Sequence, residues 1–169
     1  MRIGYTLTGP GEGIDATFAA LARHLAAEGR RVTGAVQHTA RDAEGRLSAM
    51  ELHLMPEGTA VNLAQDLGAG ARGCRLDPGA LEQAVQRLSG RLAAGADLLI
   101  VPRFGEREAA GGGFRGLIAE ALGADIPVLV GVSREAAPAF AAFVGGTAER
   151  LAADPDTLHA WATGRRAAE

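Results

Sequence analysis

A glycine-rich stretch near the start of the chain has the residue types of a phosphate-binding loop. Gly9, Gly11 and Gly13 lie between a short apolar run and a segment with a helical pattern. Glycines let backbone amides approach an anion closely, and the N-terminus of the following helix adds partial positive charge. Thr17, early in that helix, offers a hydroxyl group. These four residues therefore form a candidate anion-binding loop.

The stretch departs from a standard P-loop at the charged position. A P-loop reads Gly, four residues, Gly-Lys and then Ser or Thr, and its lysine reaches the outer phosphates. Counted from Gly9, the second glycine is replaced by Ile14, the lysine by Asp15 and the hydroxyl residue by Ala16. Two interpretations stay open. The loop is either a modified anion site or a tight turn in which Asp15 and Glu12 complement the helix dipole.

A second glycine-rich loop, 65–79, carries two arginines. Arg72 and Arg75 lie three residues apart among glycines, a pattern that suits bidentate binding of an oxyanion. Asp66 would orient one of these arginines or hold a metal. The alternative is an irregular loop in which the arginines pair with Asp66 and Asp77.

The third candidate loop, 102–113, supplies Arg103 shortly after the apolar run "DLLIV". In P-loop enzymes an acidic residue commonly ends such a strand and helps to hold magnesium. Here the nearest following carboxylate is Glu106, several residues further on. Arg107 and Glu108 are expected to lie in an exposed, salt-bridged part of this loop.

The composition excludes several kinds of chemistry. All 17 basic residues are arginine, which excludes Schiff-base chemistry and a lysine general base. A net charge of −3 and the lack of a basic stripe argue against nucleic acid as a partner. The four histidines are scattered, with no two at helical ligand spacing, so no metal site is expected. No signal segment or membrane span is seen, so we expect a cytoplasmic protein.

Strand-like and helix-like segments alternate along the chain, which predicts a single α/β domain over 1–169. Strands are predicted at 2–7, 31–37, 50–55, 60–64, 97–101 and 127–132, and helices at 14–28, 78–94, 114–122, 136–143 and 155–163. The polar segment 38–47 is expected to be an exposed connection. Continuously apolar strands separated by helices predict three layers, a mostly parallel sheet with helices on both faces. The "MELHLM" pair would add an antiparallel edge hairpin. The three loops would meet at the carboxyl edge of the sheet.

Two of these loops also carry a family resemblance. The segments "QDLGAGARGCRLDPGALE" and "AGADLLIVPRFGEREAAGGGFRGLIAEAL" resemble a bacterial domain family of unknown function, often found beside molybdate-transport genes. The family looks like a distant branch of P-loop nucleotide hydrolases. The resemblance implies a P-loop-hydrolase-like fold, a nucleotide with Mg or an oxyanion as ligand, and a link to molybdenum. Relatives often have Asn in place of Pro102 and Lys in place of Glu106, which leaves Arg103 as the best cation there.

The leading hypothesis is a nucleotide- or oxyanion-binding accessory or sensor protein whose partner is a small anionic ligand. Its ligand-binding residues would be Gly9, Gly11, Gly13, Thr17, Asp66, Arg72, Arg75 and Arg103. One alternative is an active nucleoside triphosphatase that uses arginines in place of the lysine. Another is a non-catalytic structural protein that pairs with a second chain, including a copy of itself, through the "MELHLM" strand.

Overall fold

The computed structural model describes residues 1–9, 14–65 and 76–165. Within these residues, seven strands form one sheet in the order β4-β3-β2-β5-β6-β1-β7. The strands are β1 (Ile3–Thr8), β2 (Val32–Arg41), β3 (Leu47–Met55), β4 (Thr59–Asn62), β5 (Leu98–Phe104), β6 (Val128–Ser133) and β7 (Glu149–Arg150). In the order of the sheet, pairing is parallel from β2 through β5, β6 and β1 to β7, and antiparallel from β2 through β3 to β4. The predicted mostly parallel sheet with an antiparallel hairpin is therefore confirmed.

Helices cover both faces of this sheet. They are α1 (Ile14–Ala27), α2 (Pro78–Ala93), α3 (Glu106–Ala109), α4 (Arg115–Gly123), α5 (Ala137–Val144) and α6 (Pro155–Thr163). Buried side chains of α1 and α6 share one apolar cluster, and those of α2, α4 and α5 share another on the opposite face. Among the described residues, no helix has the length and apolar composition needed to cross a bilayer.

The local signals in the sequence explain where several elements begin. The Asp77 carboxylate accepts hydrogen bonds from the backbone N–H groups of Gly79 and Ala80, and Pro78 takes the first helical position of α2. This is the predicted cap, and it satisfies amides that have no partner inside the helix. Strands β5 and β6 are almost entirely buried because helices cover them on both sides.

The prediction of a connection over 38–47 is wrong for half of its length, although most of the segment is exposed as expected. Strand β2 continues to Arg41 and β3 begins at Leu47, so the two form a long antiparallel hairpin. Its turn is closed by Asp42, whose carboxylate accepts hydrogen bonds from the backbone N–H groups of Glu44 and Arg46. Between residues 38 and 46 most of the hairpin's side chains are exposed, so this part lacks the apolar alternation of a half-buried strand.

Three further features differ from the sequence prediction. The "MELHLM" segment lies in β3, which is paired on both sides, so it is not the edge strand; the edge is β4. Strand β5 runs on to Phe104, and the helix α3 follows at Glu106, where a long loop was predicted. The short strand β7 was not predicted, because two residues are too few to form a pattern.

Candidate functional site

A crevice is expected at the carboxyl ends of β1 and β6. These strands are neighbours, but the helices that follow them, α1 and α5, pack on opposite faces of the sheet. In open α/β sheets this arrangement leaves a gap where ligands bind. Strand β1 ends at Thr8, whose hydroxyl donates to the carbonyl of Val132 on β6 at 3.3 Å. Strand β1 therefore ends at the switch point, and α1 begins at Ile14.

Asp15 lies in the first turn of α1, at the position where a P-loop has its lysine. Burial removes water from its carboxylate and raises its pKa above the ordinary value. A hydrogen bond from the backbone N–H of Gln37 and the positive charges of Arg103 and His38 oppose that shift. The first turn of α1 therefore lies within electrostatic range of Arg103 on β5 and of the middle of β2.

Arg103 stands on a bulge in β5. The pairing with β6 runs regularly to Val101 and resumes at Phe104, with a shift between them. Pro102 lacks the N–H that a regular ladder needs, which accounts for the irregularity. Bulges re-aim side chains, and here the Arg103 side chain is exposed while both of its neighbours in sequence are buried. The predicted loop arginine is therefore a strand residue held by the sheet.

Strand β2 separates from β5 close to Arg103. Their ladder covers only three residue pairs and ends at Gly34 and Ile100, after which β2 pairs with β3 alone. Gly34 has φ +134, and a Cβ there would lie 2.0 Å from the carbonyl oxygen of Ile100, so this close approach requires glycine. The separation opens space at the carboxyl edge between the two strands.

A cavity of about 640 Å³ fills that space. Arg103, Glu106 and Arg107 form its polar wall. The opposite wall is apolar, and its residues come from the hairpin, from the two ends of the loop after β4 and from α2: Leu47, Met50, Leu52, Leu63, Leu76 and Leu81. Its size and its mixture of apolar surface with a few charged groups are those of a small-molecule site.

The loop after β4 has its two ends beside this cavity. Ala64 and Leu76 form an isolated antiparallel bridge, and the Gln65 side chain donates to the carbonyl of Leu76 at 2.8 Å. Leu63 and Leu76 both line the cavity wall. The structure thus places the ends of the second predicted loop at the same cavity as Arg103 of the third.

Glu108 is buried, which corrects the expectation of an exposed, salt-bridged residue. Its two carboxylate oxygens accept hydrogen bonds from the backbone N–H groups of Gly105, at 2.9 Å, and Phe114, at 3.2 Å. Gly113 has φ +57, and a Cβ there would lie 2.1 Å from the Glu108 carboxylate. The carboxylate therefore holds together the two ends of the segment between β5 and α4, which contains α3, and fixes this segment beside Arg103.

Arg115 has a structural role. Its guanidinium donates to the carbonyls of Glu108 and Ala109, at 3.3 and 3.4 Å. It also lies over the Phe143 ring, 4.7 Å from the centroid. These contacts tie α3 to α4 and α5.

The sequence-predicted site residues divide into two groups. Of these, the structure describes Gly9 after β1, Thr17 in α1 and Arg103 on β5, all at the carboxyl edge of the sheet. The remaining ones lie outside the described residues, and their part in the site stays a prediction: Gly11, Gly13, Asp66, Arg72 and Arg75. Glu108 was missed as an organising residue; the available signal was its position three residues after Gly105, the spacing of a capping box.

Comparison with known proteins shows the family of this chain. Residues 3–161 match the model of a protein family of unknown function, DUF2478. The chain belongs to the DUF2478 family. It is also 32% identical over 160 residues to the molybdenum import ATP-binding protein ModC 2 of Bradyrhizobium diazoefficiens. That match covers 95% of this chain but only 18% of the relative, so the chain spans less than a fifth of that protein's length.

Two solved structures share the fold of this DUF2478 chain. The solution structure of a human cancer-related nucleoside triphosphatase has a TM-score of 0.63 at 16% identity, covering 98% of this chain and all of that one. The crystal structure of THEP1 from the hyperthermophile Aquifex aeolicus has a TM-score of 0.64 at 14% identity, covering 97% and 96%. The predicted P-loop-hydrolase-like α/β fold and the predicted family resemblance are both confirmed.

Proposed function

We propose that this DUF2478 domain binds a nucleotide or a small oxyanion at the carboxyl edge of its sheet and acts as an accessory or sensor protein. The observation that carries the proposal is the place of Arg103, which is exposed on the bulge near the carboxyl end of β5 and lines the cavity there. It supports a cation at the place where a P-loop fold needs one, supplied by a strand instead of the missing lysine.

Three features favour an anion at this edge. The N-terminus of the 14-residue helix α1 carries partial positive charge directly after the glycine loop. Arg103 is exposed, and its planar guanidinium matches the paired oxygens of a phosphate or of a tetrahedral oxyanion. The adjacent cavity of about 640 Å³ has room for a group larger than the anion itself, such as a nucleoside.

Asp15 sets a condition on the ligand, because its carboxylate competes with an incoming anion for the charge of Arg103. A magnesium ion brought by a nucleotide would remove this conflict, since it prefers oxygen ligands. Asp15 and Thr17 would be the residues that hold it, and it would neutralise phosphate charge. A nucleotide is therefore expected to need magnesium, whereas molybdate would bind better when Asp15 is protonated.

A role in molybdenum handling is the finer part of the proposal. Its support is the similarity to a relative whose name describes ATP binding in molybdenum import, of which this chain matches 18%. Because the match is to so small a part of that protein, we propose only that the domain senses or assists, and that its ligand is either a nucleotide or molybdate.

Calorimetric titration with ATP, GTP, molybdate, tungstate and sulfate tests the proposal, the nucleotides with and without magnesium. We expect one ligand class to bind, and Arg103→Ala to weaken it about 10- to 150-fold, the equivalent of one charged hydrogen bond. Arg30→Ala is the matched control, because Arg30 is an exposed arginine that precedes β2 at the opposite edge of the sheet.

Three outcomes would end or change the proposal. No heat from any of these ligands at millimolar concentration, or equal losses in Arg103→Ala and Arg30→Ala, would end it. Release of phosphate from ATP or GTP that requires magnesium and disappears in Arg103→Ala would instead make the domain a nucleoside triphosphatase. We expect no such release, because the chain lacks the lysine that a P-loop places on the phosphates. Without that cation the transition state loses charge stabilisation.

A further inference from the structure

Two imidazoles and a carboxylate meet where the end of α1 packs beside α6. His24 and Glu28 are separated by one helical turn, at and just beyond the C-terminal end of α1, and His159 comes from α6. The sequence prediction considered only histidine pairs on one helix, so it missed a set completed by a residue 131 positions away. The set lies at the opposite end of α1 from the glycine loop, so it is independent of the proposed function.

The three ligand atoms are already close together. One Glu28 oxygen, Oε1, lies 2.9 Å from Nε2 of His159 and 3.4 Å from Nε2 of His24. All three ligand atoms lie within 4.8 Å of one another. The two imidazole rings are stacked, with centroids 4.5 Å apart and planes inclined by 23°.

These spacings match the edges of a tetrahedral metal site. Zinc binds histidine nitrogen and carboxylate oxygen at about 2.0–2.2 Å, so neighbouring ligands in a tetrahedron are about 3.3 Å apart. The two distances to the Glu28 oxygen, 2.9 and 3.4 Å, lie on either side of that value. To bind one metal ion the two stacked rings must turn so that both Nε2 atoms face it, and the His24 side chain is exposed enough to do so.

We infer that His24, Glu28 and His159 bind a divalent transition metal of the zinc class. Two imidazoles and one carboxylate are a zinc-type donor set, whereas magnesium and calcium take oxygen ligands almost exclusively. The His24 side chain is 63% exposed and that of His159 19%, so the fourth position faces solvent and is open to water or another ligand. The bound metal would join the end of α1 to α6.

The simpler alternative is that Glu28 only accepts hydrogen bonds from the two histidines. In that case Zn²⁺ would bind here no more tightly than at any other exposed histidine. The chain contains a suitable comparison, because His53 Nε2 lies 3.0 Å from the Glu51 carboxylate on β3, and its ring is 5.7 Å from that of His38. His53→Ala therefore removes one imidazole from a similar pair and serves as the matched control.

Titration of tag-free protein with Zn²⁺, and with Co²⁺ followed by visible absorption, tests the inference. We expect one metal per chain and Co²⁺ bands of a four-coordinate site. His24→Ala and Glu28→Gln should each weaken Zn²⁺ binding by at least about 10-fold, since even loss of an outer-shell partner costs 10–100-fold. His53→Ala should leave the affinity unchanged.

Thermal unfolding gives a second readout. Zn²⁺ should raise the melting temperature of the unmodified chain and of His53→Ala, but not of His24→Ala, because a ligand stabilises only the state that binds it. Both test substitutions are at exposed side chains, so they are expected to fold. Absence of Zn²⁺ binding at 100 times the protein concentration, or equal binding by His24→Ala and His53→Ala, would overturn the inference.

Discussion

Replacing Glu108 by glutamine should destabilise the protein, because it removes one of two buried hydrogen bonds beside Arg103. The glutamate accepts from the backbone N–H groups of Gly105 and Phe114. A glutamine keeps a single oxygen and turns its NH₂ group toward the other donor. A buried donor without a partner costs about 1–3 kcal/mol, so Glu108→Gln should lose about that much, and Glu108→Ala about 2–6 kcal/mol.

Gly113 tests the same contact from the other side. An alanine there would hold a left-handed backbone, which costs about 1–2 kcal/mol, and its Cβ would lie 2.1 Å from the Glu108 carboxylate. If the carboxylate gives up one hydrogen bond to make room, the total is about 2–5 kcal/mol. Gly112→Ala is the matched control. Its nearest contact would be an ordinary 3.5 Å, so its effect should stay within about 1 kcal/mol.

Urea unfolding monitored by the fluorescence of Trp161, the only tryptophan, measures these changes. The double variant Glu108→Ala with Gly113→Ala is decisive, because the clash disappears with the carboxylate. In that background, Gly113→Ala should cost only the backbone part, about 1–2 kcal/mol, so the two changes are not additive. Additive effects, or a Glu108→Gln variant as stable as the original chain, would refute the reasoning.

Two further predictions concern carboxylates at helix starts. The pKa of Asp15 is raised in the folded state, so its charge lowers stability above that pKa, and this loss disappears as pH falls below the unfolded value. Asp15→Asn should therefore stabilise the protein at pH 7 but not near pH 3; a gain in urea unfolding that is equal at both would contradict this. Asp77→Ala should lose about 1 kcal/mol in the same assay, because two amides of α2 lose their cap, while Asp77→Ser restores most of it.

The elements that the sequence predicted well are those with local causes. Helix α2 follows from Asp77 and Pro78, and β1 and α1 follow from an apolar run and a regular stripe on either side of glycines. The extension of β2 to Arg41 has no such cause, because its residues pair with β3 while most face solvent on both sides. Only pairing with β3, which is decided by tertiary structure, shows that this polar segment is a strand.

The candidate site was predictable in its location but not in its construction. The glycine loops and Arg103 indicated the carboxyl edge, since strand ends can be read from apolar runs. The proline before Arg103 suggested the end of a strand, whereas the sheet accommodates it with a bulge. The burial of Glu108 depends on two backbone amides nine residues apart, those of Gly105 and Phe114, meeting at one carboxylate, and periodicity carries no information about that.

The bulge in β5 also bears on how this site can change. Arg103 has neighbours fixed by the sheet on one side and by Glu108 on the other, so its backbone is ordered when the protein folds and binding need not order it again. The other predicted anion-binding residues belong to different parts of the sequence, the segments 9–13 and 66–75. Substitutions in those two segments would therefore change which anion is preferred while the cation stays in place. The domain is a scaffold on which ligand choice can be altered, by evolution or by design, without rebuilding the charged centre.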